Sequence, residues 1–376
     1  MKYYIIAGEA SGDLHGSNLI KSIKEKDPQA EIRCWGGDLM EAAGAEVVKH
    51  FRELAFMGFA EVIMNLKTIL GNIKECKKDI ENYQPDAVVL IDYPGFNLRI
   101  AEFVKKLEIK VYYYISPQIW AWKKSRVHKI AKFTDMVFTI LPFEKEFYAK
   151  YGYEVHYVGH PLLDAIDNRD TSAEKKAGLR KEFALTEKPI IAILPGSRKQ
   201  EIGVMLPIML KQIQNFPEHQ FVIAAAPSFD LSYFEPFTAE YPSLKIVSNR
   251  TYDLLQISAA ALVTSGTATL ETALFRVPEV VCYKGNVISY QIAKRIVDIK
   301  YISLVNLILD EEVVTELIQG NLNEKLLKTE LGKLLGNTPE RQKMMDKFET
   351  LINTLGSGGA SAKTAELLIE DLKNYA

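Results

Sequence analysis

The chain has 376 residues, of which 48% are apolar and 25% charged, enough for two ordinary globular cores and too apolar for a disordered or fibrous protein. Its 46 basic and 48 acidic side chains leave a formal net charge of −2, which excludes a dedicated nucleic-acid binder, because phosphate neutralisation needs a large basic excess. The three cysteines, Cys34, Cys76 and Cys282, stand far apart with no CxxC or Cys/His spacing, which excludes a disulfide scaffold and a sequence-evident zinc site and fits a reducing cytosol.

No targeting or spanning segment is predicted. The apolar run from Tyr3 to Gly8 is too short for a signal peptide and is stopped by Glu9, and the longest uncharged stretch, Leu254 to Leu270, is broken by Gln256, Ser258, Thr264 and Ser265. From residue 3 onward short β-branched or aromatic runs alternate with amphipathic segments. Strands are predicted over Tyr3 to Ala7, Glu31 to Trp35, Asp86 to Ile91, Lys110 to Ile115, Met136 to Leu141 and Val155 to Val158. Each is apolar at both parities, as a parallel strand buried on both faces should be. Helical periods fall between them, over Leu14 to Lys26, Glu61 to Tyr83, Leu98 to Leu107 and Glu144 to Tyr151. A polar stretch from His160 to Lys188, with Asp167, Asn168, Arg169 and Asp170, reads as an interdomain linker. The rhythm restarts with strands over Ile190 to Leu194, Phe221 to Ala225, Leu244 to Val247, Ala260 to Thr264 and Val280 to Tyr283, and beyond about residue 310 only helical patterns remain. These elements predict an α/β protein of two Rossmann-like, doubly wound parallel-sheet domains facing a cleft, with a helical C-terminus. The domains are expected over 1–165 and 188–355, with a C-terminal helix over 356–376 that packs on the first domain or on a partner subunit.

In such sheets ligands meet the loops that follow the strands. The loop Gly8 to Gly16 offers glycines and a helix start to an anion or a polar ligand; alternatively Ser11 or Asp13 simply caps that helix. Its spacing is not GxGxxG, so a nicotinamide site is disfavoured. Asp92 follows the apolar run Ala87 to Leu90 and precedes Pro94 and Gly95; partial desolvation there would raise its pKa towards that of a general base, the alternative being a turn former or N-cap. In the second half, Gly196, Ser197 and Arg198 follow a strand, a fixed cation at a turn suited to a diphosphate. Ser265, Gly266, Thr267 and Thr269 lead from a strand into a helix and make a phosphate cradle, with Glu271 one turn on within reach of a ribose diol; the alternative is a helix with Ser/Thr caps. There is no DxD pair, HExxH or GxxxxGK[ST] motif, so the cradle and Arg198 would have to neutralise a leaving diphosphate without a metal. Of the six histidines only His160, in Val158-Gly159-His160-Pro161, stands at a domain junction.

The segments AGEASGD (7–13), ELAFMGFAEV (53–62), SPQIWAW (116–122), LPFEKEFY (141–148), VGHPLLD (158–164), LPGSR (194–198), SGTATLE (265–271) and YISLVNLIL (301–309) resemble, in order, those of the lipid-A-disaccharide synthases. That resemblance implies the two-domain glycosyltransferase B-type fold. It also implies a metal-independent, inverting transfer from UDP-2,3-diacylglucosamine to 2,3-diacylglucosamine 1-phosphate (lipid X), giving a β-1,6 disaccharide and UDP. By position, Asp92, Arg198 and Asn306 would be the essential residues, Ser265 to Glu271 would hold UDP, and Glu9, Ser11, Gly12 and Asp13 would line the cleft. No cofactor is expected, since UDP is part of the donor and a product.

Acylated substrates require an apolar surface. Phe56, Met57, Phe59, Ile63, Leu66 and Ile69 form an apolar stretch flanked by Lys67, Lys74, Lys77 and Lys78; Trp120 and Trp122 precede Lys123, Lys124 and Arg126, with no acidic residue from 109 to 134. Interfacial tryptophans beside cations suit an anionic membrane surface, and the alternative is a core stripe with a solvated lysine face. The resemblance thus implies a cytoplasmic enzyme, peripheral on the inner membrane, with a homodimer possible and no nucleic-acid partner. Two rival functions remain at this point, a UDP-N-acetylglucosamine 2-epimerase of the same architecture and a non-catalytic nucleotide-sugar-binding protein.

Overall fold

Alternate residues of a strand point to opposite faces of its sheet, and in β1 (Lys2–Ala7) both sets are buried: Tyr3, Ile5 and Ala7 enter one core, Tyr4 and Ile6 another. The same division runs through β4 (Ala87–Ile91) and β5 (Lys110–Tyr114), where Val89, Ile91, Tyr112 and Tyr114 join the first core and Val88, Leu90 and Tyr113 the second. A sheet that is apolar on both sides needs helices on both sides. The first core is closed by the helices Ala10–Lys26 and Ala360–Tyr375, the second by Leu66–Tyr83, Pro94–Val104 and Val127–Phe133.

This structure, a computed structural model, describes residues 1–54, 66–166, 169–297 and 299–375. The chain forms two units, Met1–Asp164 with Gly356–Ala376, and Ala165–Leu355. With β2 (Glu31–Gly36), β3 (Glu46–His50), β6 (Met136–Thr139) and β7 (His156–Tyr157), the first unit holds a seven-stranded parallel sheet in the order β3-β2-β1-β4-β5-β6-β7. The second holds β8 (Ile190–Leu194), β9 (Gln220–Ala225), β10 (Lys245–Ser248), β11 (Ser258–Thr264), β12 (Glu279–Tyr283) and β13 (Thr315–Ile318) in the order β10-β9-β8-β11-β12-β13. Both are Rossmann-like, the fold class read from the sequence.

Two strands escaped that reading, and both are sheet edges. β3 (EVVKH) is half-buried, and β13 (TELI) lies beyond residue 310, where only helices were expected. An edge strand has one paired side and one wet side, so it lacks the continuous apolar run that marks a central strand. The stretch expected to be a linker is also more structured than its polarity suggests. It carries the helices Pro161–Ile166 and Ala173–Glu182, and Leu179 is fully buried in the core of the second unit with Phe183 and Leu185 beside it.

The last helix is tied into the first unit at its start and along its length. Asp164 accepts from the backbone N–H groups of Gly359, Ala360 and Ser361 at 2.5, 3.2 and 3.1 Å, satisfying donors that a helix start leaves unpaired. Ala365, Leu368, Ile369 and Leu372 then pack in the core that holds Leu19, Ile20 and Ile23. His160 is buried in the same region and accepts from Leu162 N at 3.2 Å through Nδ1. Replacing Asp164 with Ala should lower stability by about 1–2 kcal/mol, read as a shifted denaturant midpoint together with faster amide exchange in residues 362–372.

Candidate functional site

In the first sheet the chain runs outward from β1 to β3, then returns to β4 beside β1. The helix after β1 packs on one face and the helix after β4 on the other, so the two loops part company and leave a crevice at the strand ends. Glu9 and Asp92 stand on these two loops. The second sheet repeats the arrangement between β8 and β11, where the loops of Arg198 and of Ser265 to Thr269 begin.

Asp92 is exposed and has a left-handed backbone, φ 42°, as has Tyr93 at φ 47°. Such angles cost a non-glycine residue roughly 1–2 kcal/mol each, and buried neighbours hold them in place. Asp92 O accepts from the Tyr113 hydroxyl at 2.6 Å and from Asn97 Nδ2 at 2.8 Å, and Asn97 Nδ2 also reaches Ile91 O at 3.2 Å. The Tyr93 ring lies so close to Gly8 that a Cβ there would sit 2.5 Å from it, which binds the β4 loop to the β1 loop and explains the glycine. Surrounding protein first, and the Glu9 carboxylate second, push the Asp92 carboxyl up to about 6, against the pull of the Tyr93 backbone N–H. Water at its open side screens part of that shift. The result is a carboxylate able to take a proton near neutral pH.

The other residues of the β1 loop divide in use. Helix Ala10–Lys26 starts one residue after Glu9, so Ser11 lies exposed in its first turn and caps nothing. Asp13 is 3% exposed, and its carboxylate accepts from Gly37, Leu39 and Met40 N–H at 2.8, 3.1 and 3.1 Å. It therefore caps the neighbouring helix Asp38–Ala42 rather than its own. Gly12 packs against Ala7, 3.0 Å from where its Cβ would be.

In the second unit Gly196, at φ 109°, turns the chain into the helix Lys199–Leu210. Glu201 folds back over that start, accepting from Ser197 N at 3.3 Å and pairing with Arg198 Nη1 at 3.1 Å. A carboxylate three residues after the Arg, in the first turn of a helix, was a legible sign of that contact. After β11, Gly266 and Thr267 are exposed at the start of Thr267–Leu274, whereas Thr269 is fully buried. Its hydroxyl donates to Gly266 O at 2.9 Å and accepts from Leu304 N at 3.3 Å, while the Ser265 hydroxyl donates to Ile302 O at 3.0 Å. Of the residues expected to form a phosphate cradle, Gly266 and Thr267 are thus the open ones, with Ser265 and Thr269 anchoring the loop to residues 302–304. Glu271 is half-buried and accepts from the Tyr252 hydroxyl at 2.7 Å, and burial raises its pKa.

Asn306 is fully buried and all its polar groups are used. Its Nδ2 donates to Val314 O at 2.8 Å and Glu316 Oε1 at 3.0 Å, and its Oδ1 accepts from Val313 N and Val314 N at 2.8 and 2.9 Å. Glu316 also accepts from Ile302 N and Ser303 N. Asn306 and Glu316 therefore fasten the segment to which Ser265 and Thr269 are anchored, and Glu316, on an edge strand, gave no sign of this in the sequence.

Of the residues expected at an acyl or membrane surface, Phe56, Met57, Phe59 and Ile63 lie outside the described residues, as does the side chain of Leu66. Along Leu66–Tyr83, Ile69 is partly buried against the core that Ile73, Cys76 and Ile80 enter, so this part of the stripe is core, with Lys67, Lys74 and Lys78 on the wet face. Trp120 turns inward, 9% exposed. Its Nε1 donates to Glu144 Oε1 at 3.3 Å, and its ring meets Phe143 edge-on at 4.9 Å. Glu144 also accepts from Ile140 and Leu141 N–H, and burial pushes it up to about 7. The exposed indole is Trp122, 47% exposed, beside exposed Lys123 and Lys124 and half-buried Arg126. Among the described residues no group of three or more His, Cys, Asp or Glu is placed to hold a metal ion, and no helix is long and apolar enough to cross a membrane.

Removing Asn306 would orphan the N–H groups of Val313 and Val314, so Asn306→Ala should cost about 2–4 kcal/mol, measured by chemical denaturation. A side chain that acted only on bound substrate would leave the midpoint unchanged.

A family model for lipid-A-disaccharide synthetase matches residues 3–369. The lipid-A-disaccharide synthase of Syntrophus aciditrophicus is 37% identical over 377 residues, covering 98% of this chain and 97% of the relative. That of Coxiella burnetii (strain CbuG_Q212) is 38% identical over 369 residues, covering 97% and 96%. Among solved structures, the UDP-GlcNAc 2-epimerase of Neisseria meningitidis bound to UDP-GlcNAc superposes with a TM-score of 0.70 at 13% identity, over 98% of this chain and all of that one. The S. aureus MnaA-UDP structure gives 0.68 at 12% identity, over 100% and 96%. At such identities the structural likeness establishes the two-sheet fold, that of the glycosyltransferase B type, and nothing finer. The sequence matches run end to end at more than a third identity, and on them this chain belongs to the lipid-A-disaccharide synthase family.

Proposed function

We propose that the protein transfers a 2,3-diacylglucosamine unit from its UDP derivative to the 6-hydroxyl of 2,3-diacylglucosamine 1-phosphate, with inversion and release of UDP. One observation carries the mechanism: a carboxylate at the switch point of the first sheet, turned outward by a fastened left-handed backbone and raised to about 6. Asp92 takes the hydroxyl proton as the oxygen attacks C1 of the donor from the face opposite UDP. The C1–O bond breaks and its electron pair leaves with the diphosphate. Arg198 and the N–H groups at the start of Thr267–Leu274 stabilise that growing charge, the kind of contribution that dominates when donors are already in place. Glu201 holds the Arg198 guanidinium near the turn until the diphosphate replaces it. Glu9, on the facing loop of the first switch point, helps to keep the Asp92 proton affinity high. Asn306 acts at one remove, by holding the segment that anchors the cradle.

Incubating the full chain with both acylated substrates, then measuring UDP and a disaccharide 1-phosphate by mass spectrometry, tests the reaction. A UDP-sugar of unchanged mass but inverted at C2 would point to the epimerase reading, UDP release without disaccharide to hydrolysis alone, and UDP binding without turnover to a sensor. Asp92→Asn should reduce kcat by at least roughly a hundredfold while leaving UDP affinity unchanged, the usual weight of a general base. Arg198→Ala should weaken UDP binding and turnover together; unchanged values for both would remove its diphosphate role.

The base must be ionised to act, so kcat/KM should fall as pH drops through about 6 and level off above it. A rate flat between pH 5 and 8 would exclude Asp92 as the group that titrates.

The acyl chains imply that the enzyme works on the cytoplasmic face of the inner membrane as a peripheral protein, with Trp122 and the Lys-rich loop at the lipid surface. Flotation with anionic vesicles should show binding at low salt that weakens at high salt, since screened charges attract less. Absence of binding at low salt would refute membrane contact.

A further inference from the structure

The loop that follows β5 is the sheet neighbour of the loop that carries Asp92. β4 and β5 pair in parallel with Ile91 opposite Tyr114, and paired strands lie about 4.8 Å apart. Two cations on the β5 loop share one aromatic platform. Lys123 Nζ stands 4.2 Å and Arg126 Cζ 5.5 Å from the centroid of the Trp122 ring. A turn closes beneath them, with Arg126 N donating to Lys123 O at 2.9 Å. Among the described residues neither cation is paired with a carboxylate.

Two like charges kept together without a counter-ion are unfavourable. Burial and the Arg126 charge lower the Lys123 ammonium, and burial lowers Arg126. The Arg126 charge also acts on the Tyr113 hydroxyl, the group that donates to Asp92 O at 2.6 Å. The cation pair is therefore tied to the Asp92 turn through one side chain. An anion arriving there would relieve the repulsion and gain a guanidinium fork plus a point charge.

The acceptor of the proposed reaction carries such an anion. Its 6-hydroxyl, carried on C5 through C6, and its 1-phosphate, carried on C1, flank the oxygen of one pyranose ring. When the hydroxyl meets Asp92, the phosphate stays within about one ring of it, so a group that receives it has to stand on a loop beside that of Asp92, as the β5 loop does. We propose that Lys123 and Arg126, on the Trp122 platform, form the site that receives the phosphate monoester of the acceptor. This rests on the glycosyl-transfer reading and deepens it, because it moves two cations expected at the membrane surface into acceptor recognition. Anionic lipid headgroups offer the same chemistry, and the experiment separates the two sources.

The full chain is assayed in neutral detergent micelles with the acylated UDP-sugar and two acceptors, 2,3-diacylglucosamine 1-phosphate and the same sugar without its phosphate. In the unaltered protein the phosphate-free acceptor should show a KM roughly tenfold higher, about 1.4 kcal/mol. Arg126→Gln and Lys123→Gln should each raise KM for the phosphorylated acceptor by a similar factor, with UDP affinity and KM for the phosphate-free acceptor unchanged. Equal KM values for the two acceptors in the unaltered protein overturn the proposal, a comparison that holds even if Arg126→Gln does not fold. So do variants that weaken use of both acceptors alike. Effects seen only when phosphatidylglycerol vesicles replace the micelles assign the cations to headgroups and also overturn it. UDP release with neither acceptor would sink the glycosyl-transfer reading itself, a result distinct from loss of phosphate discrimination alone.

Discussion

The first unit depends on a backbone held where an ordinary residue resists going. Asp92 and Tyr93 are consecutive, neither is glycine, and both are left-handed. Their geometry survives because the Asp92 carbonyl is gripped by two side chains from the core, Tyr113 and Asn97, and because the Tyr93 ring has settled over Gly8. A relaxed turn would let the carboxylate swing with the loop. The fastened one fixes its direction in advance, as preorganisation of the proposed base requires. The sheet supplies the place and the strained pair supplies the aim.

The second unit reaches a similar end by other means. Its cradle residues occupy permissive positions, Gly196 and Gly266, and its precision comes from saturation. Every polar atom of Asn306 is used, Glu316 collects two backbone N–H groups, and Ser265 and Thr269 spend their hydroxyls on residues 302–304. A network with no spare valence has one arrangement, since each displaced donor would be left unpaired in a dry interior. The second unit is therefore stiff where the first is strained.

Much of this was readable from the chain because buried parallel strands are long apolar runs and the loops after them are where polar residues stand out. Asp92, Arg198 and Gly266 announce themselves in that way. β3 and β13 do not, since a half-wet edge has no such signature. Nor could spacing alone show what Asp13, Thr269 or Trp120 does. Asp13 is matched to backbone 24 to 27 positions away and Trp120 to Glu144, 24 positions on; local pattern says nothing about partners that only folding brings together. Tyr113 reads as one more strand aromatic, yet its hydroxyl holds the Asp92 carbonyl and thereby the turn that aims the carboxylate.

The return of the last helix bears on the order in which the protein can be made. Ala360, Ala365, Leu368 and Leu372 belong to the same core as Tyr3, Ile5 and Leu19. That core cannot be sealed on a ribosome until nearly the whole chain has emerged, whereas residues 165–355 are contiguous and have all their packing partners by then. Domains generally fold as they are released, first half first; here the half that begins the chain is finished last. During synthesis the face of the Ala10–Lys26 helix that will meet the C-terminal helix, with Leu19, Ile20 and Ile23, stays open. The nascent protein thus carries an uncovered apolar groove for most of its translation, and the first unit is the one exposed to misfolding in that interval.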